Sequence, residues 1–283
     1  MRTSAAVARG AARLGSAAES RTLLAHVLGV EPGRLALAPD VTDAQLADLD
    51  ALVARRLAGE PLQHLTGVAH FRTISVEVGP GVFVPRPETE VMTGWALECL
   101  RSRRQPPQGV TVVELCAGSG AISRALASEL PGPAYYAVEL SETAWPYLMR
   151  NLEGTGVQAV HADMNEALHD LDGTVDLVIA NPPYVPEAAR DTLPTDVLRD
   201  PAEALFSGPD GLDALRVVAR VAARLLRPGG WVCSEHDDTH GDAAPALFRA
   251  AGFVEVADHA DMTGRPRFVT ARARASVNGR MGA

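Results

Sequence analysis

The hydrophobic positions of the chain change their period twice. From about Ala5 to Gly59 apolar residues recur at helical spacing, with Leu23, Leu24, Val27 and Leu28 on one face and Leu46, Leu49, Val53 and Leu57 on another. Pro32-Gly33 and Pro39-Asp40 punctuate this run, so residues 1–60 read as a small helical domain. Between Pro61 and Pro87 the period shortens to two. Ile74, Val76 and Val78 alternate with Ser75 and Glu77, Gly79-Pro80-Gly81 makes a turn, and Val82-Phe83-Val84 returns. The pattern predicts a β-hairpin linker within 61–87, with strands at 74–78 and 82–84.

From residue 88 onward, short apolar runs alternate with amphipathic segments. Val91, Met92, Trp95, Cys99 and Leu100 mark a helix, and Pro87 with Glu88 and Glu90 suits its first turn. Gln105 to Gly109 reads as a loop. Strands are predicted at 110–115, 135–140, 157–162, 175–180 and 231–234. Between them lie helices at 121–130, from a Ser141 cap to Leu152, and over Leu215 to Leu226, ended by Pro228-Gly229-Gly230. A helix at 243–251 and strands at 253–256 and 268–271 complete the pattern. Such alternation predicts a doubly wound, mainly parallel α/β sheet over residues 88–273. Residues 274–283 read as a disordered tail.

Composition narrows the class only slightly. The chain has 283 residues, 47% apolar and 22% charged, ordinary for a globular protein, with room for one large domain and a small one. No apolar run approaches the roughly 20 residues of a membrane span, and the N-terminus carries no signal-peptide core, so the cytoplasm is the expected compartment. Cys99, Cys116 and Cys233 contain no C-x-x-C spacing and suggest neither a disulfide framework nor a zinc site. The net charge of −9 argues against direct nucleic-acid binding and for a protein or small-molecule substrate.

Two strand ends carry the candidate chemistry. The β-branched run Val175 to Ala180, broken only by Asp176, suits a central strand covered on both faces, and it runs straight into Asn181-Pro182-Pro183-Tyr184. Each proline fixes its own φ, lacks an N–H and pushes the preceding residue toward extended backbone, so Asn181 and Pro182 are held extended. The loop then offers the Asn181 side-chain amide and the Pro182 main-chain oxygen, with the Tyr184 ring as a wall. Such a site grips a nitrogen that donates two hydrogen bonds. A plain Asn-Pro turn closing a strand is the alternative reading.

The second strand end is Glu114-Leu115-Cys116-Ala117-Gly118-Ser119-Gly120-Ala121, a glycine turn between the first strand and its helix, where doubly wound folds bind cofactors. Glu139 closes the next strand about 20 residues on, the place of a ribose-binding carboxylate. A dinucleotide fingerprint wants a third glycine where this chain has Ser123, whereas S-adenosylmethionine needs the turn, the ribose carboxylate and an acid such as Asp163 near the adenine. Strand-end capping by Glu139 and Asp163 is the alternative. Read together with Asn181 to Tyr184, these residues place a methyl donor beside an amide grip. An amide nitrogen is a poor nucleophile, and acceptors on both its N–H groups would aim it and favour the developing positive charge. This scheme needs no metal and no general base.

With these motifs in hand, the sequence resembles the HemK/PrmC-type peptide chain release factor N(5)-glutamine methyltransferases along nearly its whole length. The most specific pieces are Pro61-Leu62-Gln63-His64-Leu65-Thr66-Gly67, Phe83 to Glu90, Asn181-Pro182-Pro183-Tyr184, and Asp210-Gly211-Leu212 with Arg216. The resemblance implies a class I, Rossmann-like methyltransferase domain and a helical domain that docks the release factor. It implies S-adenosylmethionine as cofactor and the glutamine of the factor's Gly-Gly-Gln loop as substrate. It places Cys116, Ala117, Gly118, Ser119 and Gly120 around the methionine part of the cofactor, Glu139 at its ribose, and Asp163 and Met164 at its adenine. Asn181, Pro182, Pro183 and Tyr184 hold the glutamine, with Phe83 beside them.

Glu114 and Cys116 replace the family's usual aspartate and first glycine, and Glu235-His236 runs into Asp237 where a glycine is usual. His236 and His240 invite a metal, but no third ligand is placed and a solvated loop is the expectation. Four rivals remain: a methyltransferase for an exocyclic amine of a DNA or RNA base, one for a ribosomal-protein glutamine, a binding protein that lost transfer through Cys116, and an NAD-dependent dehydrogenase.

Overall fold

The computed structural model describes residues 1–103 and 108–275; Gln105 to Pro107 of the expected loop and residues 276–283 of the expected disordered tail lie outside the described residues. Two compact units are present. One comprises Met1–Val68 with Val78–Pro80 and Leu193–Asp200, and the other comprises Ala69–Glu77, Gly81–Thr192 and the chain from Pro201.

The first unit is helical. Its main helices are α1 (Thr3–Leu14), α2 (Ala17–Leu28) and α3 (Asp43–Leu57), followed by the short α4 (Leu62–Thr66). Local chemistry sets their ends. Ser16 caps α2 by accepting the Glu19 N–H, and Thr42 with Gln45 forms a capping box on α3. Leu23, Leu24, Leu49, Val53 and Leu65 form the core. Leu57, assigned by periodicity to the buried face of α3, is 55% exposed because the helix ends there. Pro61 to Gly67 builds α4 and its left-handed glycine end, so that motif is part of this unit's frame. Leu193–Asp200 joins the unit through Arg199, which donates to the Ala58 oxygen at 3.0 Å.

A hairpin does form in the linker, but earlier than the alternation predicts. Strand β1 (Val68–Phe71) pairs with β2 (Ile74–Glu77) across Arg72-Thr73, with Arg72 in the left-handed region. The Val78 N–H goes to the Gly67 oxygen at 3.0 Å and continues that pairing. Residues 82–84 form no strand, although Val82 and Val84 are fully buried. Burial of alternate valines was thus legible there, and the strand partner was not.

The second unit is built on α5 (Pro87–Arg101), β3 (Thr111–Leu115), α6 (Ala121–Glu129), β4 (Ala134–Glu139), α7 (Trp145–Leu152), β5 (Gln158–His161) and β6 (Val175–Ala180). It continues with α8 (Ala202–Leu205), α9 (Asp213–Leu225), β7 (Leu226–Glu235), α10 (Ala243–Ala250), β8 (Val254–Ala260) and β9 (Pro266–Arg272). The seven strands lie in the order β5-β4-β3-β6-β7-β9-β8, all successive pairs parallel up to β7, with β9 antiparallel to both neighbours. This is the doubly wound, Rossmann-like α/β sheet of the methyltransferase class.

All six residues of β6 are buried, as a central strand with both faces covered requires. Asp176 within it is satisfied by the Thr111 N–H at 2.8 Å and by the guanidinium groups of Arg103 and Arg227. Two boundaries differ from the prediction. Helix α7 starts at Trp145, three residues later than a Ser141 cap predicts: Ser141 Oγ does accept the Ala144 N–H at 3.4 Å and its main-chain oxygen the Trp145 N–H at 2.9 Å, but residues 142–144 form a turn before the helix begins with Pro146 in its first turn. Strand β7 starts at Leu226, and Pro228-Gly229-Gly230 is carried inside it as an irregularity in its register with β6. Chain order reverses between β3 and β6, which opens a crevice at their carboxyl ends.

Candidate active site

Leu115 and Ala180 are register partners on β3 and β6, so the glycine turn and the Asn181 loop leave the sheet side by side. At the turn, Cys116 is a non-glycine residue at φ 57° and Gly118 and Gly120 are at φ 55° and 78°. The two glycines have different reasons. A Cβ on Gly120 would meet Leu148 at 2.7 Å, so this glycine lets α6 pack close to α7. A Cβ on Gly118 would meet nothing within 4 Å, so open space lies beside its backbone. The Gly118 N–H donates to Glu139 Oε2 at 2.6 Å and the Ser141 N–H to Glu139 Oε1 at 2.6 Å. Glu139 is thereby fixed beside the glycine turn, with lone pairs left on both oxygens.

Beneath the turn, the buried Glu114 accepts the Ser123 N–H at 2.8 Å, in the first turn of α6. Burial, reinforced by the charge of Glu139, pushes its carboxyl up to about 8 despite that hydrogen bond. Burial, together with the carboxylates of Glu139, Glu114 and Asp163, also pushes the Cys116 thiol up, so it stays protonated. Its sulfur lies 4.0 Å from that of Met164. The structure therefore brings Cys116, Gly118, Glu139 and Met164 together. Asp163 is exposed, and one of its oxygens holds the Asn165 N–H at 2.8 Å.

The Asn181 loop is braced from two sides. The Tyr184 and Val185 N–H groups both donate to the Leu205 oxygen, at 3.2 and 2.8 Å. Gly211, at φ 75°, passes so close that a Cβ there would lie 2.4 Å from the Tyr184 oxygen and 2.9 Å from the His240 ring. His240 in turn hydrogen-bonds the Asp210 oxygen at 3.0 Å, and Arg216 grips the Asp210 carboxylate at 2.6 Å. That pairing with Arg216 pulls Asp210 down to about 2. The Asp210-Gly211-Leu212 motif with Arg216 is thus a buttress for the loop.

His236 and His240 are buried, not solvated as the sequence reading expected. His236 bridges the Asp237 oxygen and Asp258, the latter at 2.8 Å, and no cluster with metal-ligand geometry occurs among the described residues.

On its inner side the loop meets a buried carboxylate that the sequence did not mark as functional. Glu235, the last residue of β7, accepts the Thr89 hydroxyl at 2.7 Å on Oε2 and the Tyr184 hydroxyl at 2.9 Å on Oε1. Thr89 Oγ1 accepts from Asn181 Nδ2 at 3.3 Å. Burial raises Glu235 above the usual carboxylate range, against the opposing pull of Thr89, Tyr184 and Arg267. Burial and that carboxylate hold the Tyr184 phenol well above its ordinary value, so it donates as a neutral hydroxyl.

The Phe83 to Glu90 motif thus reaches the Asn181 loop through Thr89, in the first turn of α5. Arg86 lies over the Phe83 ring at 5.0 Å. Glu235 could have been suspected from one signal, a carboxylate ending a parallel strand in the position that Glu139 occupies on β4.

The chain also matches known proteins along most of its length. The PrmC N-terminal domain model matches residues 5–67, and the methyltransferase small domain model matches residues 74–230. A release factor glutamine methyltransferase of Streptomyces coelicolor is 48% identical over 260 residues, covering 90% of each chain. The chain belongs to the release factor glutamine methyltransferase family. Another relative of that name, from Mycolicibacterium smegmatis, is 45% identical over 89% of each chain. At 40% identity, over 88% of this chain and 84% of the other, comes a 4-amino-L-phenylalanine/4-methylamino-L-phenylalanine methyltransferase of Streptomyces pristinaespiralis. Methyl transfer is common to these names. Family membership sets aside the dehydrogenase reading.

The glycine turn fits S-adenosylmethionine: it has open space beside the Gly118 backbone and, accepting that residue's N–H, a carboxylate fixed by two N–H groups with acceptor capacity to spare. No helix among the described residues is long and apolar enough to cross a membrane.

Proposed function

We propose that the protein methylates the side-chain amide nitrogen of the glutamine in the Gly-Gly-Gln loop of peptide chain release factors. The observation that carries this reading is the Asn181 amide, anchored by Thr89 at the end of β6, directly beside the glycine turn that leaves β3. Cys116 to Gly120 would hold the methionine part of S-adenosylmethionine, Glu139 its ribose hydroxyls, and Asp163 with Met164 its adenine. When bound, that cofactor supplies an electrophilic methyl group on a sulfonium sulfur. The helical first unit, residues 1–60 with the α4 segment, docks the release factor, and residues 61–87 link it to the catalytic domain at 88–273.

The protein's own work is to hold the acceptor. The Asn181 side-chain oxygen and the Pro182 main-chain oxygen accept the two N–H groups of the glutamine amide and aim its nitrogen. Both are acceptors, so both favour the positive charge that develops on nitrogen as its lone pair is used. Pro182 and Pro183 stiffen the loop, and the Tyr184 ring walls it while its hydroxyl is tied to Glu235. No side chain needs to take a proton before bond formation.

The test uses methyl-labelled S-adenosylmethionine with an unmodified release factor and with the same factor carrying alanine for the Gly-Gly-Gln glutamine. Label should enter the first and not the second. Equal labelling of both, or labelling only of ribosomal protein, nucleic acid or a free arylamine, would overturn the reading.

A further inference from the structure

We infer that Thr89 and Glu235 are positioning residues that fix which end of the Asn181 amide faces the substrate, and so make the site select an amide over a carboxylate of the same shape. The inference rests on the glutamine-amide reading above and assigns its selectivity to a chain of hydrogen bonds. Glu235 is 1% exposed and its two oxygens are met by two hydroxyls, Thr89 at 2.7 Å and Tyr184 at 2.9 Å. An ionised carboxylate only accepts, and a threonine hydroxyl has a single proton to give. With that proton committed to Glu235, Thr89 Oγ1 presents only lone pairs to its other neighbour.

Its other neighbour is Asn181, at 3.3 Å. An amide oxygen at that position would set two acceptors face to face, so Nδ2 must occupy it and Oδ1 must point away from Thr89. The far end of the amide is therefore an acceptor, which is what a donating substrate nitrogen requires. Thr89 cannot easily turn to evade the arrangement. It is 3% exposed in the first turn of α5, and its main-chain oxygen accepts the Thr93 hydroxyl at 2.9 Å.

A glutamine side chain offers N–H groups to Oδ1 and to the Pro182 oxygen, whereas a glutamate of nearly identical outline offers only oxygens. Sites that hold a partner by committed buried polar groups reject a mismatched isostere far more strongly than shape alone does. The polarity of one buried carboxylate, 146 residues from Thr89 in the chain, is thereby transmitted to the substrate's side chain.

The experiment compares wild type, Thr89→Val and Thr89→Ser. For each, it measures the dissociation constants of two unmodified release factors, one with Gly-Gly-Gln and one with Gly-Gly-Glu, the turnover on the first, and the dissociation constant of S-adenosylmethionine. Wild type should prefer the glutamine factor by about 100-fold or more. Thr89→Val should lower turnover by about 10- to 100-fold and shrink the glutamine-to-glutamate preference by about 10-fold, the Pro182 oxygen keeping the remainder, with cofactor affinity unchanged. Thr89→Ser, which keeps the hydroxyl, should restore both. A general loosening of the fold would weaken the cofactor as well and would not shrink the glutamine-to-glutamate ratio.

If Thr89→Val does not fold, Thr89→Ala removes the same hydroxyl without placing a methyl against Glu235 and carries the same expectation. Unchanged turnover and an unchanged ratio in the folded variant would overturn the inference. Absence of methyl transfer to the glutamine factor by wild type would instead overturn the reading on which it rests.

Discussion

Replacing Glu114 with glutamine should remove a pH-dependent strain from the glycine turn. Glu114 is 1% exposed, and burial moves its carboxyl from an ordinary value of 4.5 up to about 8. A carboxyl raised on folding favours the folded state fully only below its unfolded value, and that contribution is lost as pH rises through the folded value. Between those limits the loss is about 1.4 kcal/mol for each pH unit, or roughly 3 kcal/mol by pH 7.

In Glu114→Gln an amide oxygen can still accept the Ser123 N–H, now held at 2.8 Å by the carboxyl, and nothing titrates. The assay is urea unfolding of wild type and variant at pH 5, 6, 7 and 8. The stability of the variant relative to wild type should climb by about 1.4 kcal/mol per pH unit across this range and level off above it. A difference that does not change with pH would mean that Glu114 titrates in the ordinary range and that its burial is not what governs it.

Asn181→Ala removes the acceptor for the substrate amide and should lower turnover by about 100-fold or more while leaving the S-adenosylmethionine dissociation constant unaltered; steady-state kinetics and calorimetry separate the two, and full activity would refute the clamp. Glu139→Ala should raise that dissociation constant by about 10- to 100-fold, because the ribose hydroxyls lose a charged acceptor, and an unaltered value would place the cofactor elsewhere. Gly211→Ala should destabilise the protein by roughly 2 kcal/mol or more and depress turnover, since its Cβ would lie 2.4 Å from the Tyr184 oxygen at φ 75°. Wild-type stability in urea would show that the buttress yields easily.

The sheet was legible because β3, β6 and the helices between them each carry a local signature: a short apolar run rich in β-branched residues, a glycine turn, an amphipathic repeat. Both strand ends proposed to carry the chemistry are marked by residues adjacent in sequence, Cys116 to Gly120 and Asn181 to Tyr184. What escaped was assembled by topology. Thr89 read as a helix start because its partner, Glu235, enters only when β7 is laid beside β6.

The hairpin was misplaced because β1 contains Ala69 and His70 and shows no alternation of large apolar residues, while Val82 and Val84 are buried without forming a strand. His236 and His240 looked like a polar loop because neighbouring aspartates surround them in sequence; in space the first bridges to Asp258 and the second braces the Asp210 turn. The membership of Leu193–Asp200 in the helical unit had no local signal at all.

The most direct test of the account is to locate the transferred methyl group. An unmodified release factor is treated with the protein and S-adenosylmethionine, digested, and sequenced by tandem mass spectrometry, with Asn181→Ala run in parallel. The account predicts one methyl group on the side-chain nitrogen of the Gly-Gly-Gln glutamine, formed by wild type and almost absent with Asn181→Ala. A methyl group on any other residue, or one formed equally well without Asn181, would contradict it.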